Sequence, residues 1–327
     1  MDIRGKRIVV IGGAGLIGSH TVDLLTREDV GEIIIYDNFV RGTAENLENA
    51  LRDPRVKIYE AGGDVCQPDI LDAAVKGAAG VFHFAALWLL QCHEFPRAAF
   101  DVNIRGTFNV LDACVQNNVQ RLVYSSSASV YGDAVEEPMT EDHPFLNKNF
   151  YGATKIASEA MVQAYLNRYN LSSVCLRYMN VYGPRQDFRS AYMAVVMKML
   201  NSIERNEPLK IFGDGTESYD FIYVRDCAAA NICAMKSDPS GCFYNVGTGV
   251  ATSLLSLAKI ILEITNASLP IEHVQLDRPG LVRRRIGSTS LATRDLGFTA
   301  ETPLRTGLRE VISWRSLEQP RERISGR

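Results

Sequence analysis

Apolar residues gather in short continuous runs at 7–11, 32–36, 56–59, 80–84 and 121–125, each followed by turn residues or by apolar positions recurring every three or four residues. A run of strand length that is apolar throughout reads as a strand buried on both faces, and its alternation with helical spacing reads as a parallel sheet covered by helices. Helices are predicted over 16–27, 70–75, 97–117 and 151–169, and another buried strand over 172–178. The predicted fold class is α/β, a Rossmann-type doubly wound parallel sheet. After Gly183-Pro184 the rhythm changes. A helix is expected over 191–205, a loop at Gly213-Asp214-Gly215, a strand and helix over 221–235, a strand over 242–246 and a helix from Thr252 to about Glu263. Two short helices close the chain, with a polar tail from Arg315 expected to fray. Residues 1–180 and about 221–250 are assigned to the Rossmann domain, and about 181–220 with 251–327 to a smaller C-terminal α/β substrate lobe.

Composition narrows the function. With 327 residues, 46% of them hydrophobic and 22% charged, the chain reads as an ordinary globular protein, and a net charge of -3 argues against nucleic acid as a partner. The apolar run after Met1-Asp2-Ile3 soon meets glycines, too short for a membrane span and unlike a signal peptide, so a cytoplasmic, non-membrane protein is expected. Cys66, Cys92, Cys114, Cys175, Cys227, Cys233 and Cys242 are odd in number and contain no Cys-x-x-Cys pair, which reads as reduced, buried thiols with no metal site.

The first strand runs directly into Gly12-Gly13-Ala14-Gly15-Leu16-Ile17-Gly18 and a helix follows at once. Glycines in this order let the backbone turn sharply and approach a pyrophosphate, whose charge meets the amides and positive end of the helix. Nineteen residues past Gly18 the second strand ends in Tyr36-Asp37-Asn38. A carboxylate there accepts hydrogen bonds from both ribose hydroxyls and repels a 2′-phosphate, so Asp37 favours NAD over NADP. Arg41 lies nearby and reads as a solvated loop residue. Asp64-Val65 and Phe84-Ala85-Ala86 follow the third and fourth strands, at the carboxyl edge where such sheets bind ligands.

Tyr151 and Lys155 stand four apart at the start of a predicted helix and share a face. A tyrosine with a solution pKa of about 10 is a poor base at neutral pH, and a nearby ammonium lowers that value. The strand at 121–125 leads into Ser125-Ser126-Ser127, which brings hydroxyls to the same edge. A serine that holds a substrate hydroxyl, a tyrosine that removes its proton and NAD as hydride acceptor make an oxidoreductase site.

These residues resemble the extended short-chain dehydrogenase/reductases, and within them the nucleotide-sugar epimerases and dehydratases, most of all the UDP-sugar 4-epimerases. The resemblance runs through the glycine turn, Asp37, Asp64-Val65, His83-Phe84-Ala85-Ala86, Asn103, Tyr131-Gly132, Tyr151 to Lys155, Arg177-Tyr178-Met179-Asn180, Phe212-Gly213-Asp214-Gly215, Asn245-Val246-Gly247 and Arg278-Pro279-Gly280. It implies that Leu16, Ile17, Asn38, Asn103, Ser125 and Tyr178 join the residues around NAD. It implies that Ser127 is the hydroxyl partner of Tyr151, that Asn180 and Arg278 face a substrate diphosphate, and that Phe212 lies beside the nucleotide base. Arg185 and Trp88 fall on the substrate side. It further implies a homodimer formed by the helices over 97–117 and 151–169.

Departures from the family pattern shape the rest. Dehydratases place an acidic pair directly after the hydroxyl residue, and decarboxylases a glutamate at the second position; Ala128 and Ser129 stand there and cannot shuttle a proton to expel water. The expected activity is therefore a nucleotide-sugar 4-epimerase working through a transient 4-keto sugar, on a UDP-hexose or UDP-uronic acid. Tyr219 stands where the family has an arginine that contacts the diphosphate, a loss that Arg283, Arg284 and Arg285 could offset, the alternative being that their charge run is a solvated face; Leu281 replaces an acidic residue. Arg285 occupies a position where relatives limit sugar size, and an arginine there could pair with a C6 carboxylate. The alternatives are a reductase or decarboxylase on the same substrates, distinguished by net NADH change or CO₂ release, and an NAD-binding sensor or scaffold without turnover.

Overall fold

Seven parallel strands make the larger sheet. The computed structural model describes residues 1–188, 193–275 and 282–325, with side chains described through residue 317. The chain runs β1 (Arg7–Ile11), α1 (Leu16–Leu25), β2 (Glu32–Tyr36), β3 (Val56–Ile58), α2 (Pro68–Val75), β4 (Gly80–His83), α3 (Leu89–Glu94) and α4 (Pro96–Ala99). A π-helical stretch, Phe100–Arg105, leads into α5 (Gly106–Gln116), followed by β5 (Arg121–Ser127), α6 (Phe150–Tyr169), β6 (Ser173–Tyr178) and β7 (Asn180–Tyr182). Beyond these lie α7 (Val195–Glu204), β8 (Leu209–Phe212), β9 (Ser218–Tyr223), α8 (Val224–Lys236), β10 (Cys242–Val246) and β11 (Ala251–Ser253). The last elements are α9 (Leu254–Thr265), β12 (Ile271–Val274), β13 (Arg284–Arg285), α10 (Ser290–Leu296) and α11 (Leu304–Ser325).

The large sheet has the order β3-β2-β1-β4-β5-β6-β10. Successive side chains of each strand leave opposite faces, so Ile8, Val10, Ile33, Phe82 and Val123 pack on one side while Val9, Ile11, Ile34, Val81 and Leu122 pack on the other. Both faces are covered, which is why the strands read as continuous apolar runs. The order reverses direction between β1 and β4, opening a crevice at the carboxyl edge where β1, β2, β4 and β5 all end. This is the Rossmann-like core that the hydrophobic pattern predicts.

The smaller C-terminal α/β region has its own core, with Val196, Leu200, Leu209, Ile211, Leu257 and Leu308 buried together. Its sheets are β11-β9-β13, with β7 also on β9, and the pair β12-β8. Apart from the six-residue β9, part of which was expected, these strands escape the hydrophobic pattern because two to four residues carry too little periodicity, and pairing with distant segments decides their conformation. Phe221–Tyr223, expected in the Rossmann domain, end β9 in this smaller sheet, although α8 and β10 go with the large one. The tail is also corrected: α11 continues from Leu304 to Ser325 where fraying from Arg315 was expected. Arg315 is buried and paired with Glu204 at 2.8 Å, its guanidinium stacked on Phe188, so the helix has tertiary contacts that polarity alone conceals.

Candidate active site

The turn after β1 has the geometry of a dinucleotide cradle. Gly12 adopts φ +80, and a side-chain carbon there would lie 2.6 Å from the backbone nitrogen of Ala85. A carbon on Gly18 would collide with the Gly12 carbonyl, so both must be glycine for α1 to start against the strand end. The N-terminal amides of α1 consequently face the crevice, where a pyrophosphate fits. At the end of β2 the Asp37 carboxylate accepts from the Ala14 and Phe39 amides, each at 2.9 Å. Burial raises its pKa against the lowering effect of those two bonds. A carboxylate held this way keeps lone pairs for ribose hydroxyls. Asn38, also at this strand end, spends its side-chain oxygen on the Val40 amide at 3.2 Å. Asp64 caps the Cys66 amide at 2.8 Å, while Val65 is buried beside it. Leu16, Ile17, Phe84, Ala85 and Ala86 border the same crevice from α1 and the end of β4. These residues can hold NAD.

Across the crevice, α6 is aimed by its own sequence. Asn149 caps the helix by accepting from the Gly152 amide at 2.8 Å, and Asn170 ends it in the left-handed conformation. Gly152 lies so close to the Ser129 carbonyl that no side chain fits, which draws the first turn of α6 against the end of β5. Tyr151 is thereby brought towards Ser127, which acts to lower its pKa, and the Ser127 hydroxyl accepts from the Ser129 amide at 3.1 Å. Lys155, one turn on, donates to the Ser125 carbonyl at 2.7 Å and sits 5.7 Å from the Tyr151 ring centre.

The electrostatics differ from the expected pairing. Burial pushes the Tyr151 phenol up to about 12, against the lowering effects of the Ser127 hydroxyl, Arg285 and Arg41. Burial likewise brings the Lys155 ammonium down to about 8. The cations acting on the phenol are thus two arginines, neither predicted for that task, while Lys155 is tied to the strand. Arg41 was read as a solvated loop residue. Instead its guanidinium lies 5.0 Å from the Trp88 ring centre and 3.6 Å from Asp187. Only its position after β2 could have marked it, since loop charge patterns do not reveal which strand end they fold over.

On the substrate side, Arg285 lies on β13 in register with Tyr219 on β9. Tyr219 donates to the Val282 carbonyl at 2.7 Å, so this side chain in place of an arginine ties down the segment that carries Arg285. Asn180 opens β7, half-buried, and Phe212 ends β8 with 41% of its surface exposed, room enough for a planar base to stack. Arg278 and Leu281 lie outside the described residues.

Residues 8–247 match the NAD dependent epimerase/dehydratase family. The chain belongs to that family. It is 31% identical to a UDP-glucose 4-epimerase of Halalkalibacterium halodurans over 328 residues, covering 94% of this chain and 95% of that protein. It is 33% identical to the structure of a UDP-N-acetylglucosamine 4-epimerase from Methanobrevibacter ruminantium M1 in complex with UDP-N-acetylmuramic acid, with a TM-score of 0.90 and coverage of 96% and 99%. A UDP-glucuronic acid 4-epimerase from Bacillus cereus, in complex with UDP-glucuronic acid and NAD, superimposes with a TM-score of 0.87 at 25% identity, covering 95% and 99%.

Three residues that family resemblance puts around the ligands have side chains committed elsewhere. The Tyr178 hydroxyl donates to Asn231 at 2.6 Å inside the core. Asn103 both accepts from and donates to the backbone of Leu87, at 2.8 and 2.9 Å, and donates to Thr154 at 3.0 Å, so it braces the loop after β4 against α6. Its place in the π-helical stretch leaves its carbonyl accepting from Thr107 and Ser158, an adjustment common near functional sites of a fold. Arg185, with φ +67, pairs with Asp23 of α1 at 2.8 Å. For a member of this epimerase/dehydratase family these are supports of the site, not contacts already free for a ligand. Among the described residues no cluster of His, Cys, Asp and Glu could hold a metal, and no helix is long and apolar enough to cross a membrane.

Proposed function

We propose that this chain is an NAD-dependent nucleotide-sugar 4-epimerase acting on a UDP-hexose or UDP-uronic acid. The observation that carries the reading is the Ser127–Tyr151 hydroxyl pair at the end of β5, next to which stand only Ala128 and Ser129. A hydroxyl at sugar C4 held between Ser127 and Tyr151 loses its proton to the phenolate form of Tyr151, which Arg285 and Arg41 favour. NAD, when bound on the turn of Gly12, Gly15 and Gly18, supplies a reversible hydride acceptor. With no acid at 128 or 129 to protonate a departing hydroxyl, nothing here drives loss of water, and the 4-keto sugar awaits return of its hydrogen. Rotation of that intermediate presents its other face, and Tyr151 returns the proton to the C4 oxygen. Lys155, through Ser125, keeps the tyrosine beside the strand end.

The family-derived expectation of a homodimer also has a physical basis. Phe100 and Phe108 are 51% and 46% exposed before and within α5, and Tyr169 is 45% exposed at the end of α6. Exposed aromatics on neighbouring helices favour burial against a second copy.

The reading is tested by incubating the purified protein with UDP-glucose and UDP-glucuronate and following the sugar by NMR. Inversion at C4 without accumulation of NADH or CO₂ is expected, with NAD retained through purification. A 4-keto-6-deoxy product, or a stoichiometric demand for added NAD, would overturn it.

A further inference from the structure

Around Tyr151 the protein collects hydrogen-bond donors that its own acceptors leave unused. Arg285 Nε and Trp88 Nε1 are both buried without a partner. Arg285 acts electrostatically on the Tyr151 hydroxyl, as does Arg41, which stacks on Trp88. Tyr151 works at C4 in this reading, and Arg285 and Arg41 both lie within its electrostatic reach.

The placement of Arg285 is fixed from both sides. On one flank the Arg283 amide donates to Asp133 at 2.5 Å, and Arg284 forms a two-pronged pair with Glu137 at 2.6 and 2.7 Å. On the other flank the Met139 amide donates to the Ile286 carbonyl at 2.8 Å, and the Ser288 amide to the Met139 carbonyl at 2.7 Å. Strand β13 is thus stitched to the loop that leaves β5. On a strand anchored this way, the buried Arg285 Nε without an acceptor is unfavourable unless a bound group completes it. Asp133 is the carboxylate that acts on Arg285, and it is already engaged by the Arg283 amide.

We infer that the hexose of the substrate carries a carboxylate, read by Arg285 together with the indole N–H of Trp88, with Arg41 adding positive charge behind the ring. This rests on the epimerase reading and narrows it to acidic sugars. A planar carboxylate suits the fork of an arginine, and the remaining oxygen lone pairs suit the indole donor.

The test uses the NAD-loaded Tyr151→Phe protein, which binds without turnover, titrated by calorimetry with UDP-glucuronate and with UDP-glucose. UDP-glucuronate is expected to bind roughly 10- to 100-fold more tightly, the value of one charge-assisted contact. Adding Arg285→Gln should abolish that preference, Arg285→Lys should keep part of it, and Trp88→Phe should weaken it. UDP-glucose should stay within about threefold of its starting affinity throughout, by the same relation. Equal affinities for the two sugars would overturn the inference. So would an equal loss for both on Arg285→Gln, which would put the arginine on the shared diphosphate. If that variant does not fold, the comparison in the parent protein and in Arg285→Lys decides. A carboxylate preference without C4 inversion by the wild-type enzyme would leave this inference standing while overturning the epimerase reading.

Discussion

Lys155 reaches from α6 to the backbone of Ser125 with a 2.7 Å hydrogen bond, so the residue four after Tyr151 is fastened two residues before Ser127. The tyrosine and the serine are therefore held together by a cation buried to 3% exposure. Burial lowers its pKa from 10.5 to about 8, a cost to the folded state of about 3 kcal/mol while the lysine stays charged. The unfolded chain binds this proton more tightly, so the penalty is complete below pH 8 and is relieved as pH rises towards 10.5. Lys155→Met gives up one hydrogen bond, about 1 kcal/mol, and removes the larger penalty. We expect it to melt a few degrees higher than the wild-type apoprotein at pH 7 while losing roughly 100-fold or more in kcat. Calorimetry beside a steady-state assay checks both; a lower melting temperature would contradict the assignment of the burial penalty.

Arg285 and Arg41 both oppose the burial that raises Tyr151 to about 12. Removing one of these cations weakens the stabilisation of the phenolate. In Arg285→Gln the rise of kcat with pH should move to higher pH than in wild type, with little change in its alkaline plateau. A pH profile on UDP-glucose, which has no carboxylate, isolates this effect from substrate binding. An unmoved profile would mean that Arg285 does not act on the base.

The parts of the site legible in the sequence are those whose chemistry is local. The turn at Gly12 and Gly18 is written in residue type, because one needs positive φ and both forbid a side chain. Asp37 is marked by its distance from that turn, and the Tyr151–Lys155 pair by helical spacing. What the sequence did not reveal is which cation faces which group. Arg41 is brought over Trp88 by the return of the loop after β2, and Arg285 reaches Tyr151 only because β13 pairs with β9 and is stitched to residues 133–139. Such contacts join positions from 47 residues apart, Arg41 and Trp88, to 150 apart, Arg283 and Asp133, and no periodicity encodes them. The same holds for the internal commitments of Asn103, Tyr178 and Arg185, which depend on partners in other elements.

The glycine turn gives a sharp expectation. In Gly12→Ala the new carbon meets Ala85 backbone and the residue must keep φ +80, so the turn and the loop after β4 move apart. The purified variant should carry little or no NAD, with affinity reduced at least tenfold, while its melting temperature in the absence of added NAD falls by only a few degrees. Absorbance of the released dinucleotide after denaturation measures this. Wild-type occupancy in the variant would show that the turn does not contact the cofactor.

Charge placed among the exposed aromatics tests the proposed dimer. Phe108 meets Tyr165 edge to face at 5.9 Å, linking α5 to α6, yet remains 46% exposed. Phe108→Glu should leave the fold intact and shift sedimentation from dimer to monomer, because an unpaired carboxylate is poorly tolerated in a buried apolar interface. A wild-type chain that sediments as a monomer would remove this surface from consideration.

Beneath the catalytic strand lies a buried ion pair whose loss should reach the active site through Ser126. Glu159 and Arg177 are each 3% exposed in their side chains and meet at 2.8 and 2.9 Å. The Ser126 hydroxyl donates to Glu159 at 2.5 Å, and Arg177 donates to Tyr131 at 2.8 Å and to the Glu141 carbonyl at 2.7 Å. Breaking such a pair strands the surviving charge, whereas replacing both members removes the need to bury either. Glu159→Leu should therefore cost about 3–5 kcal/mol in urea unfolding, and the double variant Glu159→Leu with Arg177→Met considerably less. In the double variant Ser126 loses its acceptor beside Ser125 and Ser127, so kcat should fall several-fold even after stability is regained. If stability and kcat recover together, the network serves folding alone; if the double variant is as unstable as the single one, the stranded arginine is not the source of the cost.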